Sequence, residues 1–141
     1  MDGKKDFEKI MAKTDRIALA SSVDNIPNVR IVNFVYLASE GVLYFISTRG
    51  DSKEAEFSKN NSVAFTTIPA RGLAHVRVRR ADVAKSDRTV LDAAEIFIAK
   101  MPWYKENIER NGSGMVLYEV RFTAATVLAG PDKAFQVELS Q

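Results

Sequence analysis

Short runs of branched and aromatic residues, each closed by a turn signal, are the feature that most limits what this chain can fold into. Such runs predict β-strands, and tight turns between them predict that neighbouring strands lie antiparallel. Turn signals occur at Asp24-Asn25-Ile26-Pro27, Ser39-Glu40-Gly41 and Pro69-Ala70-Arg71-Gly72. Because helices are inserted at only a few points, we expect a closed or nearly closed β-barrel of six or seven strands rather than a parallel sheet.

Four short helices are predicted around these strands. Residues 4–14 carry Phe7, Ile10 and Met11 at helical spacing, which predicts a short amphipathic helix that packs its apolar side against the rest of the domain. Further helices are predicted over residues 52–59, 87–100 and 103–110, with Pro102 separating the last two. The length of 141 residues is that of a single domain.

Composition excludes several classes of chemistry. The chain has no cysteine and one histidine, so disulfides, thiolate catalysis, Cys-ligated zinc and His-rich metal sites within one chain are ruled out. Its net charge is only +2, which does not predict a nucleic-acid partner. No apolar run approaches the roughly 20 residues that span a bilayer, and no secretory signal is present at the N-terminus. We therefore expect a cytoplasmic protein without a membrane partner.

One arginine stands on an otherwise apolar strand face. Within the predicted strand Val29 to Leu37, alternation places Arg30 on the same face as Val32, Phe34 and Tyr36. Burial of an unpaired guanidinium is costly, so Arg30 requires an anionic partner or a place at the rim of the barrel. A bound phosphate would satisfy this requirement.

A second candidate anion site is Ser47-Thr48-Arg49-Gly50-Asp51-Ser52-Lys53, which joins a strand end to a helix start. It offers hydroxyls, cations, a flexible glycine and free helix N–H groups. The phosphate-loop spacing of nucleotide triphosphatases is absent, so ATP hydrolysis is not expected. A purely structural interpretation stays open, in which Asp51 or Ser52 caps the helix, Glu54 completes a capping box and Lys53 is solvated.

Taken together in this order and spacing, the segments resemble the FMN-binding split barrel of pyridoxamine 5′-phosphate oxidase-like proteins. Sequence motifs carry the resemblance over residues 15 to 84, approximately, and in the remainder of the chain only the order of the predicted strands carries it. It implies a mainly β fold with α, namely an antiparallel split β-barrel with short flanking helices, forming one domain over residues 1–141. The segments that carry it are Asn28-Val29-Arg30-Ile31-Val32-Asn33-Phe34, Val42-Leu43-Tyr44-Phe45-Ile46-Ser47-Thr48, Lys53 and Asn61-Ser62-Val63-Ala64-Phe65-Thr66.

The resemblance also implies an FMN cofactor, held at the interface of a homodimer. Arg30 and Lys53 would grip the FMN phosphate, and backbone groups of the strand after Arg30 would face the flavin ring. Trp103 and Tyr104 would reach the site from the second subunit, although their segment is also typical of a core or dimer anchor. The implied cofactor-binding residues are Arg30, Ile31, Val32, Asn33, Ser47, Thr48, Lys53 and Trp103.

The chain departs from the family pattern in two places. Relatives commonly carry a small residue, often glycine, near the position of Arg80. The chain also ends at Gln141, without the C-terminal segment that true pyridoxamine phosphate oxidases use to hold their substrate. We therefore do not expect oxidation of vitamin B6.

A basic strand follows the third turn, in the stretch Arg71 to Arg80. Alternation places Leu73, His75, Arg77 and Arg79 on one face. This face could bind an anionic group of a substrate or stabilise a reduced flavin, or it could be a solvated outer face. His75 is the candidate proton donor, since the sequence offers no other obvious catalytic acid or base.

We expect an FMN-dependent oxidoreductase in which a small-molecule substrate passes a hydride to the flavin. Two alternatives use the same fold: a flavin or haem carrier or sensor with little turnover, for which His75 is the only possible histidine ligand, and a deazaflavin-dependent reductase. A barrel that binds a nucleic acid or another anionic partner through the arginine-rich strand is a third alternative. It is disfavoured because aromatic residues do not alternate with those arginines.

Overall fold

The computed structural model describes residues 3–139, and the four terminal residues of the expected domain lie outside the described part. The described residues form four α-helices and nine β-strands, so the expected number of six or seven strands is wrong. The helices are α1 (Gly3–Lys13), α2 (Ser52–Lys59), α3 (Ala94–Lys100) and α4 (Tyr104–Asn111). The strands are β1 (Arg16–Val23), β2 (Ile26–Asn33), β3 (Val35–Leu37), β4 (Val42–Thr48), β5 (Ser62–Thr67), β6 (His75–Lys85), β7 (Met115–Arg121), β8 (Ala124–Gly130) and β9 (Lys133–Glu138).

The first hairpin shows how local sequence sets a strand pair. Asp24 and Asn25 alone connect β1 to β2, with φ values of 54° and 64°, and Val23 pairs with Ile26. Two successive left-handed residues give the turn whose twist matches that of the flanking strands, and Asp and Asn tolerate this conformation well. Pro27 is accommodated because β2 is an edge strand.

All strand pairs are antiparallel, in the order β2-β1-β5-β6-β7-β4-β3, with β8 paired to β6 and β9 paired to β8. The long strand β6 is the branch point, since it pairs with β5, β7 and β8 along different parts of its length. The sheet is open, because β2 and β3 lie at its two ends and do not pair with each other. The antiparallel split-barrel architecture is as expected, whereas full closure is not found.

The predicted strand Val29 to Leu37 is broken at Phe34. The Phe34 N–H donates to the Asp15 carbonyl at 3.0 Å, and its carbonyl accepts from the Lys100 amine at 3.1 Å. β2, which ends just before Phe34, pairs with β1, and β3, which begins just after it, pairs with β4. The hydrophobic pattern continues through Phe34 because its side chain is fully buried, so the pattern did not reveal the break.

Two hydrophobic clusters lie on the two faces of the sheet. The inner cluster contains Phe34, Phe45 and Phe65 and is covered at one end by α1 through Phe7 and Met11, as the spacing of that helix predicted. The outer cluster packs α3 and α4 against β3, β4 and β7. Each face of β4 is therefore covered, and β4 is one of the most buried strands. No helix among residues 3–139 has the length and apolar character needed to cross a membrane.

The third helix is shorter than predicted. The pattern predicts a helix over residues 87–100, but α3 begins at Ala94. Before it, the Thr89 N–H donates to the Asp92 carboxylate at 2.8 Å and the Asp92 N–H donates to the Thr89 hydroxyl at 3.1 Å. These reciprocal bonds form a capping box at Thr89. The N–H groups of Ala93 and Ala94 then bond three residues back, to Val90 at 3.2 Å and to Leu91 at 3.3 Å, so regular α-helix begins only at Ala94.

Candidate cofactor site

Arg30 lies on β2 and points toward helix α2. Its guanidinium donates to the Glu56 carboxylate at 2.6 Å and to the Ser21 hydroxyl at 3.0 Å, and its side chain is 15% exposed. It also lies over the Phe57 ring, 5.8 Å from the centroid. The requirement for an anionic partner is therefore met within the chain, by a carboxylate that sequence analysis did not identify.

Glu56 is the centre of this cluster. Its carboxylate accepts bonds from Arg30, from Ser21 at 2.7 Å and from Asn28 at 3.4 Å. The bond from Arg30, the largest effect, lowers the pKa of Glu56, so the carboxylate stays charged near neutrality. A sequence signal for it exists: Glu56 follows Lys53 by three residues, the spacing that places two side chains on one helix face.

The start of α2 follows the capping interpretation in part. Asp51 is the N-cap residue, and its carboxylate accepts from the Lys53 N–H at 2.9 Å. This bond is the largest effect that lowers the pKa of Asp51. Glu54 accepts from the N–H of Gly50, where φ is 81°, and not from the cap residue itself. The capping box is therefore shifted by one residue.

Lys53 is not solvated, which corrects that part of the capping interpretation. Its side chain is 13% exposed, and its amine lies 3.1 Å from the Asp51 carboxylate. Both cations predicted to grip a phosphate therefore lie at α2: Lys53 is part of the helix, and Arg30 binds Glu56, one helical turn after Lys53. Each already has a carboxylate partner, so a bound phosphate would share or replace those partners.

Ser47 and Thr48 point to opposite faces of β4. Ser47 is 7% exposed, and its hydroxyl is buried without a hydrogen-bond partner in the described part of the chain. A buried hydroxyl without a partner ordinarily costs free energy, and a ligand that accepts its hydrogen bond would remove that cost. Thr48, one residue later, is exposed. The two cations at α2 and the unsatisfied hydroxyl near the end of β4, the strand that precedes α2, are the kinds of donor that bind a phosphate group.

The strand that carries Arg30 presents a free edge and an apolar outer face. All eight residues of β2 pair with β1, and no described strand pairs with its other side. Its side chains Val29 and Ile31 are 63% and 59% exposed, whereas Val32 is 9% exposed. Backbone groups at a free edge can hydrogen-bond a ligand, and an exposed apolar face beside them can pack on a planar ring or on a second chain.

Trp103 and His75 lie elsewhere in the single chain. Trp103 is 53% exposed and stacks on Tyr104, with ring centroids 4.1 Å apart. Tyr104 itself belongs to the outer core, where burial raises its pKa to about 12. His75 begins β6, and its Nδ1 donates to the Leu73 carbonyl at 2.6 Å, which leaves Nε2 available. Among residues 3–139, no hydrogen bond or ion pair joins either side chain to Arg30.

The fold is shared with several solved structures. A haem-binding protein from Mycobacterium smegmatis is similar with a TM-score of 0.77 and 14% identity, over 98% of this chain but only 58% of that protein. The crystal structure of a putative pyridoxamine 5′-phosphate oxidase from Listeria innocua has a TM-score of 0.69 and 15% identity, over 92% of this chain and 100% of that one. An FAD-binding protein from Mesorhizobium loti has a TM-score of 0.64 and 13% identity, over 89% and 92%.

Sequence comparison extends this result from fold to family. No curated protein matches the chain significantly. A family model described as pyridoxamine 5′-phosphate oxidase-like matches residues 10–133, which include the whole β1–β2 hairpin, α2 and β6. The expected resemblance is confirmed, and the chain belongs to the pyridoxamine 5′-phosphate oxidase-like family.

Proposed function

We propose that the chain binds FMN and acts as a flavin-dependent oxidoreductase, transferring a hydride between a small substrate and the flavin. Two observations carry the proposal: Arg30 and Lys53 both lie at α2, and Ser47, near the end of the strand that precedes this helix, has a buried hydroxyl without a partner among the described residues. The phosphate would be held by these three side chains. The protein's own contribution would be to hold the cofactor and exclude water from it.

The remaining cofactor contacts follow from the exposed strand β2. Its free backbone edge at Ile31, Val32 and Asn33 would hydrogen-bond the flavin ring, and the apolar face formed by Val29 and Ile31 would be covered by a second copy of the chain. Trp103 is exposed on a different element, so it would contribute to the site only from that second copy. The proposed form is therefore a cytoplasmic homodimer with a site at each side of its interface.

The first experiment is a visible spectrum of the purified protein, before and after denaturation and after addition of FMN. Titration of the apoprotein, followed by flavin fluorescence, then compares the parent with Arg30→Ala. Loss of a charge-assisted bond should weaken FMN by about 1.5–3 kcal/mol, which is roughly ten- to a hundredfold in Kd. Arg110→Ala is the matched control, because Arg110 is 73% exposed and its ion pair within residues 3–139 is with Glu106, on the same helix α4.

Arg30→Ala also breaks the ion pair with Glu56, so its folding must be checked by circular dichroism. Arg30→Lys keeps the charge and serves as the second variant, with an intermediate loss of affinity expected because lysine lacks the planar fork. If Arg30→Ala folds and binds FMN as tightly as the parent does, the assigned phosphate site is wrong. A colourless protein that ignores added FMN would contradict the cofactor itself.

Haem binding is the second candidate. It is favoured by the similarity to the haem-binding protein from Mycobacterium smegmatis and by the free Nε2 of His75. A Soret band in the same spectrum that is lost in His75→Ala would support this candidate. A flavin spectrum that is unchanged in His75→Ala would exclude this role for the histidine.

A further inference from the structure

An irregularity in the β5–β6 pair lies outside the proposed cofactor site. Val63 pairs with Ala81 and Phe65 pairs with Val78, so two steps along β5 correspond to three steps along β6. One extra residue is therefore inserted into β6 at Arg79 and Arg80. Such a β-bulge re-aims side chains that would otherwise alternate between the two faces of the sheet.

The bulge brings arginines together at the surface. Val78 and Ala81 on either side of it are 1% and 6% exposed, whereas Arg79 and Arg80 are both exposed although they are adjacent. Arg77 is exposed as well, two residues before Arg79 on the same face. Three guanidinium groups therefore emerge within four residues, over roughly 10 Å of strand.

These arginines border a groove whose other lining residues are small or neutral. The groove has a volume of about 350 Å³ and is lined by the three arginines, Thr123, Thr126, Gln136 and two alanines. It contains no carboxylate and no aromatic ring. Within residues 3–139, none of the three arginines forms an ion pair or a side-chain hydrogen bond. No ion pair among the described residues therefore compensates their positive charge.

A larger groove lies on the other side of the bulge. It has a volume of about 810 Å³ and is also lined by Arg79 and Arg80, together with Asp82 and Arg121. Arg121 already pairs with Glu119 at 3.0 Å, and Asp82 supplies a negative charge there. The smaller groove is therefore the more strongly positive of the two. Its lining contains none of the proposed cofactor-binding residues.

We propose that the smaller groove is a second binding site, for a small molecule that carries two or more adjacent anionic groups. Three planar guanidinium groups provide forked donors for phosphate or carboxylate oxygens, and the threonine and glutamine side chains add neutral bonds. The volume admits a compact ligand. Nucleic acid is disfavoured because the lining offers no aromatic ring on which a base could stack.

Calorimetric titration of the purified protein with inorganic tripolyphosphate and, separately, with citrate tests the proposal and distinguishes a phosphate from a carboxylate source. The double variant Arg79→Gln/Arg80→Gln should lose at least tenfold in affinity for the anion that binds. Lys59→Gln/Lys105→Gln removes the same two charges from exposed helix positions and should change the affinity less than threefold. Arg30→Gln should retain the affinity, which separates this site from the FMN phosphate site.

Three outcomes would overturn the proposal: neither anion binds, the lysine control loses as much affinity as the arginine variant, or the arginine variant retains full affinity. If a single-stranded oligonucleotide binds more tightly than tripolyphosphate and needs the same arginines, the site binds nucleic acid and the proposed small-molecule ligand is wrong. If circular dichroism shows that the double variant does not fold, Arg77→Gln decides the question. At least a threefold loss of affinity is expected for it, and an unchanged affinity would refute the site.

Discussion

The amine of Lys100 allows a quantitative test of the core. Lys100 is the last residue of α3, and its amine donates to the Met11 carbonyl at 3.2 Å and to the Phe34 carbonyl at 3.1 Å. It also lies 4.0 Å from the centroid of the Phe34 ring. One ammonium thus joins the end of α1 to the point where β2 gives way to β3.

Burial lowers the pKa of Lys100 from 10.5 to about 8, opposed by the negative charge of Asp15. A shift of this size corresponds to about 3 kcal/mol between the two protonation states. Since the folded pKa lies below the unfolded one, the unfolded chain binds more protons between about pH 8 and 10.5. The free energy of unfolding therefore rises with pH across this window, because the cost of burying the ammonium is removed there.

The perturbation is Lys100→Met, which removes the titrating group but retains a long side chain. Unfolding by urea is measured for both proteins at about pH 7 and pH 9.5, at one protein concentration. The stability of the parent relative to Lys100→Met should increase by about 2 kcal/mol between these pH values. Other titrating groups, including Asp15, are common to both proteins and cancel in the comparison.

An unchanged difference between the two proteins would refute the reasoning. It would mean that the two carbonyl bonds and the Phe34 ring stabilise the ammonium as well as water does, so that the amine titrates alike in the folded and unfolded chains. A fall in the difference with rising pH would reverse the sign and show that the charged form is favoured in the fold.

Two further changes test other parts of the structure. Thr67→Val should lower the free energy of unfolding by about 1–3 kcal/mol, because the buried Thr67 hydroxyl accepts from the Val76 N–H at 2.9 Å. The control is Thr66→Val, measured in the same denaturant titration. It should lower the free energy of unfolding less, since the bonds of the Thr66 hydroxyl are longer, at 3.3 and 3.5 Å. Equal losses in the two variants would contradict the stabilising role given to the Thr67 hydroxyl. Val29→Asp should shift the proposed dimer to monomer in sedimentation experiments, whereas the control Leu91→Asp, at another exposed apolar position, should not. An intact dimer in Val29→Asp would show that β2 is not part of the interface.

Local signals account for the parts of the structure that were predicted well. The bounds of β4 and α2 agree with prediction, because a branched apolar run ends at a turn and Asp51 is a strong N-cap residue. The Asp24-Asn25 turn was also identified from residue type. In each case the relevant interactions join residues that are close in the sequence. The family resemblance rested on the same segments.

The predictions for β2 and α3 were less accurate for a common reason. The break at Phe34 depends on hydrogen bonds to Asp15 and Lys100, residues that lie far from it in the sequence. The late start of α3 depends on the N–H groups of Ala93 and Ala94, which bond three residues back although the sequence has a helical pattern there. Periodicity detects which residues are buried but not which backbone groups find other partners.

The sequence by itself determined the strand periodicity, the tight turns, the helix cap and the need of Arg30 for an anion, because these follow from short-range geometry and from the cost of burying charge. Only the tertiary structure decided that the anion is Glu56, 26 residues away, and that Lys100 joins two distant carbonyls. It also decided that a bulge turns Arg79 and Arg80 to one surface. Such contacts depend on strand register and helix placement, which the packing of the whole chain sets.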